Sequence, residues 1–324
     1  MVQAAGLPRL TDVNRHKRIP AVFVVVVMIC LALMLTEQAG AEMPRQRVRI
    51  RSDGSVDPSS AAIQRSGDTY TFTGDVYAEL VVEKGGIVID GAGHTLMGPY
   101  NGSQTLWIIG EGPNQTPTGD TELWSIGIDT VSNAIDGLTV RNLNIKNFSI
   151  GMYLWTRGNT VTGNAITDCI VGILLSGNDN TITENYVADN KNGVYFGSNQ
   201  PGNIPTGVVL AENCFVDNLR QLSGCVCVDF NTTEEVHTWD NGKRGNFWSD
   251  YMGTDANGDG VGDTAYVIDP LNMDRFPLMQ SPAAPPKATA VDVHIVVAVA
   301  AVALALAVVA VVLVLRRRKK PAKD

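Results

Sequence analysis

Large aromatic rings are scarce in this chain: Trp, Tyr and Phe together make up 6% of 324 residues. A core filled mainly by rings is excluded, and small aliphatic side chains must do that work. Cysteine is scarce as well, with five copies, too few for a disulfide-dense scaffold. Of four histidines, His94 and His237 fall within residues 46–280, a thin supply for a histidine-rich metal centre. No amphipathic helical pattern of about 10 residues or more runs between 42 and 294. Positive charge is short where it matters. Four of the 25 Lys/Arg precede residue 42 and six follow residue 294, leaving 15 against 30 Asp/Glu between them, a net of −15. That body lacks the basic footprint that phosphates require, so no nucleic acid is expected as a partner. What the chain does have is 44% hydrophobic residues and 32 glycines. An ordered chain with many turns follows, and its length alone suggests about two domains.

Two apolar runs set the expected address. Residues 21–35 are uncharged, follow Arg15, Lys17 and Arg18, and precede Ala39-Gly40-Ala41. A basic region, a short apolar stretch and a small-x-small site read as a signal peptide over 1–41. Left uncleaved, the same stretch would be a signal anchor. Residues 295–315 are all Ile, Val, Ala or Leu; as a helix they reach about 31 Å, enough to cross a bilayer. Arg316 to Lys320 follow, which keeps 316–324 as a basic cytoplasmic tail. The Pro/Ala-rich 281–294 reads as an extended stalk. The expected arrangement is a single-pass cell-membrane protein, anchored C-terminally, with 42–294 outside.

Within the exported part a repeat dominates. Gly151-Met-Tyr-Leu, Gly172-Ile-Leu-Leu and Gly193-Val-Tyr-Phe stand 21 residues apart. Asparagine-started strands precede them at Asn142, Asn164 and Asn185, and a further copy begins at Asn213 after an insertion from Gly197 to Gly207. Short runs of β-branched residues alternate with Asn, Gly, Asp and Ser, the pattern of strand and turn. A unit of that size cannot bury its own apolar face and must stack on its neighbours. Equivalent side chains then sit about 4.8 Å apart, in aliphatic columns and asparagine ladders. The fold class is all-β: a single-stranded right-handed parallel β-helix over 46–280, followed by a C-terminal transmembrane α-helix. Tyr70 to Val82 is expected to cap its N-terminal end. The repeat block, with Ile87-Val-Ile-Asp-Gly-Ala-Gly-His-Thr-Leu96, resembles the NosD-type proteins of the carbohydrate-binding and sugar-hydrolase β-helix superfamily. The tail Gly245-Asn-Phe-Trp-Ser-Asp-Tyr251 through to Phe276-Pro-Leu-Met279 resembles the C-terminal segment of archaeal surface members. The resemblance implies the fold; the superfamily includes binders, lyases, epimerases and maturation factors.

Several residues are candidates for chemistry. Asp255, Asn257, Asp259 and Asp263 occupy positions 1, 3, 5 and 9 of a loop with Gly260 at position 6, and the Val261 carbonyl falls at position 7. That is the spacing of a calcium loop. Tyr266 stands where the usual bidentate Glu would be, so affinity is expected to be weak. Asp168, Asp189 and Asp217, with Lys146, recur four residues after each repeat asparagine. Stacked carboxylates of this kind suit glycoside hydrolysis, although Asp is also an ordinary turn residue. Trp239, Phe247, Trp248, Tyr251, Tyr266 and Phe276 gather near one end, as a sugar-stacking platform or as a cap over the open solenoid. Cys169, Cys214, Cys225 and Cys227 are either disulfide partners or buried thiols. Four sequons, at Asn101, Asn114, Asn147 and Asn231, are compatible with glycosylation. Copper is implied only by the resemblance; His94, His237, Cys225, Cys227, Met252 and Met279 show no ligand spacing.

The leading functional reading is a surface-anchored β-helix with a binding or structural role towards carbohydrate or another envelope component, such as an envelope protein. A polysaccharide lyase, hydrolase or epimerase using Asp168, Asp189 and Asp217 is the alternative. A NosD-like copper-site maturation factor is the second alternative.

Overall fold

The computed structural model describes residues 46–100, 124–130, 135–197, 205–224 and 236–281. The signal segment, the 101–123 stretch, Cys225, Cys227, the sequons at Asn101, Asn114 and Asn231, and the stalk and apolar run beyond residue 281 lie outside the described residues.

Each turn of the chain adds one strand to each of three parallel sheets. Thr160–Thr162, Ala165–Thr167 and Val171–Leu175 form one such coil, and Thr181–Thr183, Tyr186–Ala188 and Asn192–Phe196 form the next. The sheets hold seven, six and eight strands in that order. Register is kept without slippage: Val161 pairs with Ile182, Ile166 with Val187, and Ile173 with Val194. The described elements are all strands, and the expected parallel β-helix is the architecture of the described residues between 46 and 280.

Aliphatic columns fill the interior. Val140, Val161, Ile182 and Leu210 form one; Ile145, Ile166, Val187 and Phe215 another; Met152, Ile173 and Val194 a third, all fully buried. Each such side chain contributes about 1.5–3 kcal/mol on burial. The repeat glycines are explained by close approach. A Cβ on Gly172 would stand 2.6 Å from the carbonyl oxygen of Gly193, and one on Gly193 the same distance from that of Gln221.

Asparagine ladders hold the coil corners. Asn164 Nδ2 donates to Asn185 Oδ1 at 3.0 Å, Asn185 to Asn213 at 3.0 Å, and Asn213 to Asn246 at 2.9 Å. The same oxygens accept backbone N–H groups from the preceding coil, and none of these residues is more than 1% exposed. Shorter ladders join Asn159 to Asn180 and Asn190 to Asn218. The expected alignment needs one correction. Asn144 pairs with Ala165, so Leu143 and not Asn142 stands below Asn164, and its N–H donates to the Asn164 amide oxygen. Asn142 is instead a left-handed corner residue with φ 52°.

The N-terminal end is closed by antiparallel pairing. Ile63–Ser66 pairs with Thr69–Phe72, and Arg47–Ile50 pairs with Val56–Asp57. Tyr70 is fully buried and donates to the Gly54 carbonyl at 2.8 Å. The expected cap at Tyr70 to Val82 is thus displaced. Glu79–Val82 is already a parallel strand of the eight-stranded sheet, and the residues that end the stack come earlier.

Asn185→Ala strands buried donors and acceptors on both neighbouring coils. The expected loss is about 3 kcal/mol of unfolding free energy, read from urea titration. A loss below about 1 kcal/mol would show that the ladder does not carry coil stacking.

Candidate binding face

The coils are uniform on two sheets and varied at the third. Stretches of 28 residues between Met97 and Ile126, nine between Asp129 and Thr139 and twelve between Phe196 and Val209 join successive strands there. Each lies in a connection that begins or ends at the eight-stranded sheet. The links between the seven- and six-stranded sheets stay short, as at Gly163-Asn164 and Glu184-Asn185.

The same sheet carries a second apolar cluster, separate from the interior. Ile150, Val171, Leu174 and Tyr195 are 1–8% exposed, with Trp124, Ile126 and Tyr153 packed against them. Tyr153 and Trp155 meet edge to face with centroids 5.8 Å apart. Burial pushes the Tyr153 phenol up to about 12, so it stays a neutral donor. Among the described residues three buried polar side-chain atoms lack a hydrogen-bond partner, and two belong to strands of this sheet: Glu79 Oε1 and Asn192 Nδ2. Glu79 uses its other oxygen on Arg47 at 2.8 Å. Asn192 accepts from Ser223 Oγ at 2.8 Å through its amide oxygen. Its unpaired amide occupies a register position held by Val171 and Ile150 in the preceding coils. An unsatisfied buried donor costs about 1–3 kcal/mol, which a hydroxyl or carbonyl acceptor would recover.

The residues singled out from sequence take other places. Asp168, Asp189 and Asp217 do stack, at one left-handed corner with φ 55°, 57° and 51°. The fourth member is Asn147, φ 60°, because Lys146 pairs with Thr167 on the strand. All three carboxylates are exposed, and none takes part in an ion pair among the described residues. Asp and Asn tolerate the left-handed region better than other residues, which accounts for their recurrence there. Among the described residues no salt bridge joins a basic side chain to these three carboxylates.

In the 255–263 loop the oxygens are turned onto the loop's own backbone. Asp255 accepts from the N–H groups of Gly258, Asp259 and Gly260. Asp259 accepts from Val261 N–H, Asn257 from Asp259 N–H, and Asp263 from Ala256 N–H. Among the described residues no three His, Cys, Asp or Glu side chains converge as a metal site. The same observation bears on copper. His94 lies 3.7 Å from Asp75 beside the first full coil, whereas Thr238 next to His237 bridges to the last strand of the seven-stranded sheet. Five strand spacings separate those positions, about 24 Å. Met252 is 92% exposed and Cys225 and Cys227 lie outside the described residues. Among the described residues, His94 and His237 are therefore too far apart to share one copper ion. Cys169 and Cys214 are free and buried, and burial pushes the Cys169 thiol up to about 12.

Trp239 and Trp248 are at most 2% exposed, so these two rings work as a cap, with Phe247, Tyr251, Tyr266 and Phe276 half-buried. Phe215, Trp248 and Tyr266 stack face to face at 4.6 and 4.4 Å, and Phe196 stacks on His237 at 5.0 Å. The longest amide ladder ends under this cap on Asp274, which accepts from Asn246 N–H at 2.6 Å and Trp248 Nε1 at 2.9 Å. Burial, the largest influence, pushes the Asp274 carboxyl upwards against those donors.

Stacked single-strand coils, closed at both ends and varied along one sheet, define a parallel β-helix repeat protein. Residues 118–253 match the family described as "Periplasmic copper-binding protein (NosD)". Over 67 residues the chain is 37% identical to the "Probable ABC transporter binding protein NosD" of Stutzerimonas stutzeri, covering 21% of this chain and 14% of that protein. The repeat region is thus similar to the NosD family, and the matched stretch corresponds to a small part of that relative's length.

Sequence reasoning missed Asn192 and Glu79. The available signal was a polar residue in an otherwise apolar column, Ile150, Val171, Asn192, visible only once the outward positions are known.

His237 gives a pH prediction. Burial holds its imidazole down at about 4, against an ordinary 6.5, with Asp269 opposing. The folded state therefore prefers the neutral ring. Its stability contribution is complete above pH 6.5 and is lost as pH falls from 6.5 towards 4. Urea midpoints measured over that window should fall more steeply for the natural chain than for His237→Phe. Parallel curves would remove His237 from the acid response.

Proposed function

We propose that this chain is an envelope-facing binding protein that takes an extended carbohydrate along the outer face of the eight-stranded sheet. The observation that carries this reading is the unpaired Asn192 amide on the sheet that also presents Tyr153, Trp155 and Tyr195. Sugar rings offer apolar faces to aromatic side chains, and their hydroxyls accept or donate hydrogen bonds; specificity then rests on a few placed polar groups. The concentration of length variation beside this sheet supports the same choice, since binding functions sit on loops held by a rigid scaffold. A ligand has to displace what shields Asn192 and Tyr195, which are 1% and 4% exposed.

The relatives' printed names point to the periplasm and to a transporter binding protein. In line with an exported protein, residues 1–41 are proposed as a signal peptide and 295–315 as the membrane anchor, with 42–294 outside. Among the described residues no helix is long and apolar enough to cross a membrane; the proposed span lies beyond them.

A glycan array probed with the full chain in mild detergent tests the binding face. Binding to at least one extended glycan is expected, weakened tenfold or more by Tyr153→Ala or Asn192→Leu and unaffected by Asp189→Asn. Loss with Asp189→Asn alone would move the site to the acidic corner. Absence of any glycan signal would overturn the carbohydrate reading.

The oxygen spacing at Asp255, Asn257, Asp259, Val261 and Asp263 supports a weak calcium loop, in which the ion would replace part of the internal hydrogen bonding. Thermal unfolding should then show a higher Tm at millimolar calcium, removed by Asp255→Asn. An unchanged Tm would sink the calcium site.

A further inference from the structure

The C-terminal cap has an inner and an outer side that differ sharply. Tyr266–Val267 pairs with Met273–Asp274 as a two-stranded antiparallel ribbon, Tyr266 opposite Asp274 and Val267 opposite Met273. Tyr266 stacks on Trp248 and Asp274 is fully buried, so those two face the solenoid. Val267 and Met273 are 65% and 40% exposed, and Leu271 in the connecting turn is 50% exposed. Val236 adds to the same side at 60%, because the neighbouring His237 N–H is bonded to Asn272 within that turn. Four large apolar side chains thus stand out from the outer side of the cap. The ribbon has already satisfied its own cap with Tyr266, Asn272 and Asp274, so the outer side chains play no part in closing the core.

The position of this patch along the chain narrows what covers it. The described chain leaves the cap at Ser281, and the apolar run begins at Ile295 after thirteen residues. Fully extended, those residues reach about 43 Å. The cap is consequently the end of the solenoid held nearest to the lipid, under the anchored reading above, on which this inference rests. A tether of that length keeps the patch at a high effective concentration over the bilayer, so a weak apolar contact suffices. A stable protein partner would ask for far more: roughly 1,200–2,000 Å² of buried surface, against the few hundred Å² that four partly exposed aliphatic side chains provide.

We infer that Val236, Val267, Leu271 and Met273 form a membrane-docking edge, dipping into the interfacial layer of the bilayer that holds the anchor. The solenoid then stands on its C-terminal cap. The driving force is apolar burial, so docking is insensitive to salt, and the candidate glycan face is carried clear of the lipid.

The test uses the full chain in phosphatidylcholine liposomes and, for comparison, in amphipol, which offers no bilayer surface. Flotation after a carbonate wash reports the anchor. Hydrogen peroxide oxidation of Met273, read by mass spectrometry, reports docking, and Met252, 92% exposed, is the internal control. The expected result is a floating chain whose Met273 is oxidised at least fivefold more slowly in liposomes than in amphipol, with Met252 unchanged. Val267→Asp together with Leu271→Asp should restore the amphipol rate while the chain still floats. If the chain floats but Met273 reacts equally in both settings, the anchor stands and docking is overturned. If it fails to float, the anchored reading falls and docking falls with it. Protection that also appears in amphipol and grows with protein concentration would assign the patch to a second copy and overturn the inference.

Discussion

The whole solenoid depends on buried side-chain amides being completed by the next coil. Asn164, Asn185, Asn213 and Asn246 each leave an oxygen and a nitrogen that no group within their own coil fully satisfies, and the neighbour along the axis supplies the missing partner. Isolated, a coil would bury polar groups without partners, at a cost its aliphatic side chains do not offset. Stacked, every internal coil is both donor and acceptor. The chain of bonds is also directional: each Nδ2 points towards the C-terminal end. Its first acceptor can be served by a backbone N–H, as Leu143 does. Its last amide donates to the Leu210 and Trp239 carbonyls, and the backbone N–H left at Asn246 needs only an acceptor, which the Asp274 carboxylate supplies under the aromatic cap. Charge at one end and a plain aliphatic residue at the other follow from the polarity of one ladder.

That dependence explains why much of the fold is legible in the sequence. The 21-residue spacing of Gly151, Gly172 and Gly193 is a direct record of coil length, since a Cβ at Gly172 or Gly193 would press on the next carbonyl. Asparagine recurs for the ladder and β-branched residues for the columns. At Asn142 the asparagine spacing is off by one residue, because the ladder's first position is held by Leu143 and the nearest asparagines are a corner residue and an outward strand residue. The insertion before Asn213 caused no such error. The Asp189 and Asp217 corners remain in register.

The site was harder to read. Asp168, Asp189 and Asp217 attract notice as a carboxylate column, yet the left-handed corner prefers Asp and Asn for backbone reasons alone. The aromatic residues at the C-terminal end were visible as a group, but composition cannot tell a ring that stacks on sugar from one that covers Phe215 and Phe196. Asn192 looked like any strand asparagine. Its significance comes from a pairing partner, Ser223, thirty-one residues away that occupies only its oxygen. Asp274 belongs to a tail without repeats, and its role appears only where that tail folds back on Asn246.

The uneven placement of extra chain has a consequence for how such a protein can change. Links between the seven- and six-stranded sheets pass directly beside the longest ladder, where one added residue would break the amide register. Connections that touch the eight-stranded sheet tolerate seven added residues, since Asn192 and its partner Arg220 stand 28 apart where Val171 and Asn192 stand 21 apart, with the following strands still in step. Selection can therefore lengthen, shorten or rewrite one flank of the molecule while the framework is held constant. Freedom in chain length and the framework that carries it are assigned to different sides of the same coil.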